Sequence, residues 1–81
     1  MIIEVRFYAS CREQVGLSVI QIQLADGATT ADAICTLLER YPVLRNGAND
    51  LSFAVNRKYV REPISLSDGD VLALIPPVSG G

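Results

Sequence analysis

The segment "VLALIPPVSGG", residues 71–81, runs from an unbroken apolar stretch into two prolines and a diglycine end. Every residue from Val71 to Ile75 is apolar. In an extended chain successive side chains alternate between faces, so a strand here has no polar side. Such a strand belongs in the middle of a sheet, with a neighbour on each edge. It is far too short to cross a bilayer. The remaining residues of the chain must then supply its neighbours and cover.

They do so in a regular order. "MIIEVRFYA", residues 1–9, alternates, with Ile3, Val5 and Phe7 on one side and Glu4, Arg6 and Tyr8 on the other. That period of two marks a strand with one face in the core. "SCREQVG", residues 10–16, reads as a short helical turn, with Ser10 and Glu13 at capping-box spacing and Gly16 as the stop. "SVIQIQL", residues 18–24, sets Ile20, Ile22 and Leu24 against Gln21 and Gln23, a second strand expected to run antiparallel to the first. Asp26 and Gly27 end it.

"TTADAICTLLERYP", residues 29–42, is the clearest helix. Thr29 is placed to cap it with Asp32 at the third helical position. Ala31, Ile34, Cys35, Leu38 and Tyr41 are expected along its buried face, and Pro42 stops it. Residues 43–50 read as a loop. "LSFAVN", residues 51–56, is a third strand with Phe53 and Val55 inward. "RKY" turns the chain, "YVRE" forms a short fourth strand ended by Pro63, and "LSDGD" turns into the last strand.

Setting the last strand parallel to the first, with the helix across one face and packed through Ile34, Cys35 and Leu38, gives an α+β, ubiquitin-like β-grasp fold. Its sheet is mixed and four- to five-stranded. Residues 1–75 are expected to form a single domain and residues 76–81 an extended, flexible C-terminal tail.

Composition restricts function. At 81 residues the chain makes one domain, and a chain of this size buries only about 60% of its unfolded surface. That leaves little room for a deep pocket. The net charge is −2 and the basic residues are scattered, whereas nucleic acid demands clustered Lys and Arg. Arg57, Lys58 and Arg61 are expected to be solvated. There is no histidine, so no Ser-His or Cys-His pair can form. Cys11 and Cys35 make no CxxC motif. Together with the charged, non-leader-like start of the chain, this suggests reduced thiols in the cytoplasm. Cys35 is expected in the core, as free cysteine often is, and Cys11 to be more exposed. Asp68 and Asp70 flank Gly69 but are too few for a metal site. No metal, membrane or nucleic-acid partner is expected.

One helix covers only one face of a sheet. With Leu72 and Leu74 turned toward it, Val71, Ala73, Ile75 and Tyr8 turn away. Either a loop such as residues 43–50 covers this apolar patch, or it docks another protein. Beside it, Pro76 and Pro77 stiffen the start of the tail. Val78 is an apolar anchor, Ser79 is small, and Gly80 and Gly81 have no side chains. An end so thin can thread a narrow channel and present its carboxyl group. A carboxylate is a poor electrophile, so reaction requires activation, and adenylation by ATP is the common route.

"VRFYASCREQVG", "FAVNRKYV" and above all "LSDGDVLALIPPVSGG" resemble the family of small, sulfur-carrying subunits of molybdopterin synthase. The likeness extends over essentially the whole chain. The resemblance implies that an ATP-using, E1-like activating enzyme adenylates Gly81 and that a sulfur donor converts it to a thiocarboxylate. It further implies that the tail enters a large catalytic subunit, in a heterotetramer, and gives its sulfur to cyclic pyranopterin monophosphate to build the dithiolene. Pro77, Val78, Ser79 and Gly80 then line the channel, and Tyr8, Tyr59 and Ile75 face the partner. Ile75 is aliphatic where the family tends to carry an aromatic residue. The chain itself is expected to bind no cofactor and not to be an enzyme alone. Two other readings stand beside this one: a sulfur carrier for thiamine or another thiocarboxylate pathway, and a ubiquitin-like protein modifier or interaction module.

Overall fold

The computed structural model of the chain describes residues 1–77. Five strands form one sheet: β1 (Ile2–Phe7), β2 (Val19–Gln23), β3 (Ser52–Val55), β4 (Lys58–Val60) and β5 (Val71–Ile75). Their order is β2-β1-β5-β3-β4. The doubly apolar β5 is central, as its sequence requires. It runs parallel to β1, with Glu4 opposite Val71 and Phe7 opposite Leu74. It runs antiparallel to β3, with Ser52 opposite Ile75 and Val55 opposite Leu72. Two helices, α1 (Ala9–Val15) and α2 (Thr30–Arg40), complete the expected β-grasp fold. The core joins Ile3, Val5 and Phe7 of β1 to Ile22, Leu72 and Leu74 of the neighbouring strands and to Ala33 and Leu37 of α2. No helix among the described residues is long and apolar enough to cross a membrane.

The buried face of α2 differs from the one expected. Thr30, Ala33 and Leu37 are buried, Ile34 and Leu38 are half-buried at the flanks, Tyr41 is half-buried at the end of the stripe, and Ala31 and Cys35 are exposed. At about 100° per residue, Thr30, Ala33, Leu37 and Tyr41 form one narrow stripe, and Cys35 stands roughly 140° from Thr30. The stripe was hidden by Thr30, whose polarity suggests solvent. Its hydroxyl instead accepts a hydrogen bond from the Ile64 N–H at 3.1 Å, and its own N–H donates to the Ile64 carbonyl at 2.9 Å. Thus satisfied, a threonine can be buried. The helix starts as expected: the Asp32 carboxylate accepts from the Thr29 N–H at 2.8 Å. Tyr41 ends it with its ring edge-on to Phe7, centroids 5.8 Å apart.

Helix α1 starts earlier than the Ser10–Glu13 spacing suggests. Tyr8 is its N-cap, in extended conformation, and the expected capping box does not form. Starting at Ala9 turns Cys11 into the core, where it is 1% exposed. The two cysteines thus exchange the environments expected of them. Gly16 does end α1, with φ 84° and its N–H donating to the Arg12 carbonyl at 2.8 Å.

Residues 42–51 are more ordered than a plain loop. Two 3-10 turns, Pro42–Arg45 and Ala48–Asp50, carry Leu44 into the core. The first of them packs on α2 and α1. This segment therefore lies on the helical side of the sheet and does not cover the opposite face. The β3–β4 turn is Asn56–Arg57, one residue earlier than "RKY", so β4 begins at Lys58.

The rotation of α2 has a direct test. Leu37→Ala removes a fully buried side chain and is expected to cost about 2–5 kcal/mol, whereas Cys35→Ala changes stability by less than about 0.5 kcal/mol. Urea unfolding of both variants checks this, and equal losses would restore the face read from sequence.

Candidate functional site

The uncovered face is built by strand alternation and register. Since Leu72 and Leu74 point into the core, Val71, Ala73 and Ile75 point out. Arg6 lies opposite Ala73, Ala73 opposite Ala54, and Ala54 opposite Tyr59. One row therefore crosses four strands with two alanines at its centre and long side chains at its ends. The short side chains make a floor and their neighbours make walls. The result is a groove of about 520 Å³ lined mainly by Tyr8, Tyr59, Ala54, Ala73, Val71 and Ile75. Arg6, Asn56 and Arg57 complete its edge.

Three expected partner-facing residues, Tyr8, Tyr59 and Ile75, thus meet on one surface. Tyr59 is 70% exposed and Tyr8 45%, so both present large apolar ring surface to solvent. Tyr8 is fixed by its backbone, whose N–H donates to the Leu74 carbonyl at 3.3 Å. At the groove edge the Arg6 Nε–H donates to the Glu4 carboxylate at 2.6 Å. The Glu4 carboxylate beside it raises the guanidinium pKa above its ordinary value.

Tyr8 and Ile75 also line a second crevice, of about 440 Å³, together with Ala9, Ser10, Glu13, Pro76 and Pro77. The groove and the place where the chain leaves β5 are thus continuous. Pro76 is still buried and Pro77 is exposed. Val78, Ser79, Gly80 and Gly81, the other expected tail residues, lie outside the described residues.

The remaining candidates have structural roles. The Asp68 carboxylate accepts from the Ile2 N–H, and that of Asp70 from the Ser67 N–H and the Asn56 amide. Among the described residues no three or more potential ligand side chains gather around a common point. Cys11 is sealed in the core and its burial pushes the thiol pKa up, the opposite of what a sulfur relay requires.

Sequence reading missed Arg6, Asn56 and Arg57 as groove residues. The alternation of β1 already puts Arg6 on the same side as Tyr8. Asn56 and Arg57 required knowing that the hairpin turn has only two residues, which brings Asn56 against Val71 and Arg57 to the groove edge.

Comparison with known proteins bears on this geometry. Residues 5–81 match the model of the ThiS family. The chain belongs to the ThiS family. The match covers β3, β4 and β5 and the part of β1 from Val5 onward, as well as the diglycine end. Among relatives of this ThiS-family chain is the molybdopterin synthase sulfur carrier subunit of Chlamydomonas reinhardtii, 39% identical, with 100% of each chain covered. Among solved structures, small archaeal modifier protein 1 of Haloferax volcanii superposes with a TM-score of 0.90 at 27% identity, covering 100% of both chains. A complex of subunits 1 and 2 of the molybdopterin-converting factor of Helicobacter pylori contains a chain matched with a TM-score of 0.73 at 27% identity, again over 100% of both.

The exchanged cysteines are open to a chemical check. In the native protein Cys35 is expected to be alkylated rapidly at neutral pH, whereas Cys11 is labelled only on unfolding. Because burial favours the neutral thiol of Cys11, any native-state labelling of it shifts to higher pH than in the unfolded chain. Peptide mapping after a short iodoacetamide pulse reads both sites; fast labelling of Cys11 would contradict its burial.

Proposed function

We propose that this ThiS-family chain is the sulfur carrier subunit of a cytoplasmic molybdopterin synthase. The observation that carries the reading is the continuity, through Tyr8 and Ile75, of an uncovered apolar groove with the departure point of a diglycine tail. Full-length similarity to a sulfur carrier subunit of that synthase supports it.

In this reading the reactive group is the Gly81 carboxyl. An E1-like partner directs one of its oxygens onto the α-phosphorus of ATP, and pyrophosphate leaves. Sulfide-level sulfur delivered as hydrosulfide by a sulfur donor then attacks the acyl carbon, AMP leaves and the S–H proton is lost to solvent, so that a thiocarboxylate remains. The large synthase subunit seats on Tyr8, Tyr59 and Ile75, in a heterotetramer. Pro77, Val78, Ser79 and Gly80 occupy its channel and deliver the sulfur to cyclic pyranopterin monophosphate. Two such deliveries build the dithiolene. The carrier binds no cofactor of its own, and ATP belongs to the activating partner. The likeness to the complex of subunits 1 and 2 supports a large-subunit partner.

A second reading, as a protein modifier, is favoured by the close superposition on the small archaeal modifier protein. The two separate on what Gly81 becomes joined to: sulfur, or the amine of another protein.

Incubation with the activating enzyme, ATP and a sulfur source is expected to replace one terminal oxygen by sulfur, read by intact mass spectrometry. Removing Gly81, or adding one residue after it, is expected to abolish sulfur transfer without altering the unfolding midpoint. Conjugated proteins in place of a thiocarboxylate would select the modifier reading. Tyr59→Ala is expected to leave stability unchanged and to weaken binding of the large subunit by roughly tenfold or more, as removal of an exposed aromatic anchor does. Titration calorimetry checks that value.

A further inference from the structure

The turn at the end of the groove is unusual for its sequence. Asn56 and Arg57 are the two central residues between β3 and β4, with φ of 51° and 72°. A two-residue hairpin turn of type I′ requires positive φ at both positions and strongly favours Asn-Gly. Asparagine meets the first requirement. Arginine at the second carries a Cβ into the left-handed region, which is unfavourable for all residues but glycine and a few small polar ones.

The fold holds this turn firmly through Asn56. Its N–H donates to the Val71 carbonyl at 2.9 Å. Its side-chain carbonyl accepts from the Val71 N–H at 3.0 Å, and its amide donates to the Asp70 carboxylate at 3.0 Å. The Asp70 carbonyl in turn accepts from the Glu4 N–H at 3.0 Å, so the turn is fastened through β5 to β1. None of these bonds uses the Arg57 side chain. Two cationic side chains line the groove, Arg6 and Arg57. Arg6 is neutralised by Glu4. Among the described residues Arg57 has no acidic partner within ion-pair distance; the pairs found there are Met1–Asp26 and Arg6–Glu4. A strained backbone thus holds an uncompensated charge at the edge of an apolar docking surface, and strain that persists under such constraint is a pointer to function.

We infer that Arg57 is a specificity-determining residue of the groove, which receives a carboxylate of the protein partner beside an apolar side chain seated over Ala54 and Ala73. The inference rests on the groove being the docking face for the large synthase subunit, and names the chemistry that face selects. An apolar floor favours a protein side chain over a phosphate backbone. A rim guanidinium prefers a carboxylate, which it can hold with two parallel hydrogen bonds.

The decisive substitution is Arg57→Gly, because its two effects have opposite signs. Glycine relieves the left-handed strain, so the unfolding midpoint is expected to stay the same or rise. Affinity for the purified large subunit, measured by titration calorimetry, is expected to fall roughly tenfold, and the dependence of Kd on salt to become shallower. Arg57→Lys keeps the charge and is expected to recover part of the affinity. If Arg57→Gly binds within twofold of wild type, the inference is wrong while the docking reading stands. A midpoint that falls by several degrees refutes the premise of strain, and the inference with it. If wild-type protein fails to bind the large subunit, the docking reading itself fails, and the role of Arg57 falls with it.

Discussion

The parallel pairing of β1 with β5 is the constraint on which the rest of the molecule depends. It joins the first strand of the chain to the last, side by side at the centre of the sheet. Parallel neighbours cannot be joined by a tight turn, so the chain between them must travel around. That journey contains α2, the two 3-10 turns and the β3–β4 hairpin. Hydrophobic burial follows the same axis: Val5, Phe7, Leu72 and Leu74 are all nearly inaccessible to solvent. The hairpin attaches to the free edge of β5 and β2 to the free edge of β1. Without the central pair neither attachment has a base.

Much of this was legible from residue order alone. A strand apolar on both faces had to be central, and alternation in the first two strands fixed which side chains face the core. What the sequence hid were features that depend on partners distant along the chain. Thr30 reads as polar, and its burial becomes intelligible only when Ile64 is brought to it. That single pair of hydrogen bonds rotates the buried stripe of α2 toward Ala33 and Leu37, leaving Cys35 in solvent. Similarly, Ser10 and Glu13 have the spacing of a capping box. The hydrogen bond from Tyr8 to β5 fixes the start of α1 earlier, and Cys11 turns inward as a result. Of the candidate site, Tyr8 and Ile75 were visible in the alternation, and Tyr59 came only from the family resemblance. The flanking Asn56 and Arg57 were not, because their place at the groove edge is set by turn geometry rather than by pattern.

The exposed groove follows from size. A chain of 81 residues has one helix long enough to cover a face of its sheet. The second face must be polar or be covered by something else. Here it keeps tyrosines, a valine and an isoleucine around a floor of alanines, a composition suited to burial against another surface. The same strand that supplies the groove wall carries the chain out toward its end. A partner that closes on Tyr8 and Ile75 therefore grips the base of the tail in the same act.

The central place of β5 also sets the timing of folding. Ribosomes build chains from the amino end, and β5 is the last strand in chain order. Until it emerges, β1 lacks its parallel neighbour and β3 its principal support, and Ile3, Val5 and Phe7 have no completed core to enter. The body therefore closes only after nearly all of the chain has been made, through contacts that span almost its full length, the kind that form slowly. An incomplete chain, whatever its first strands achieve, lacks the β5 side chains Val71, Ala73 and Ile75 that line the groove.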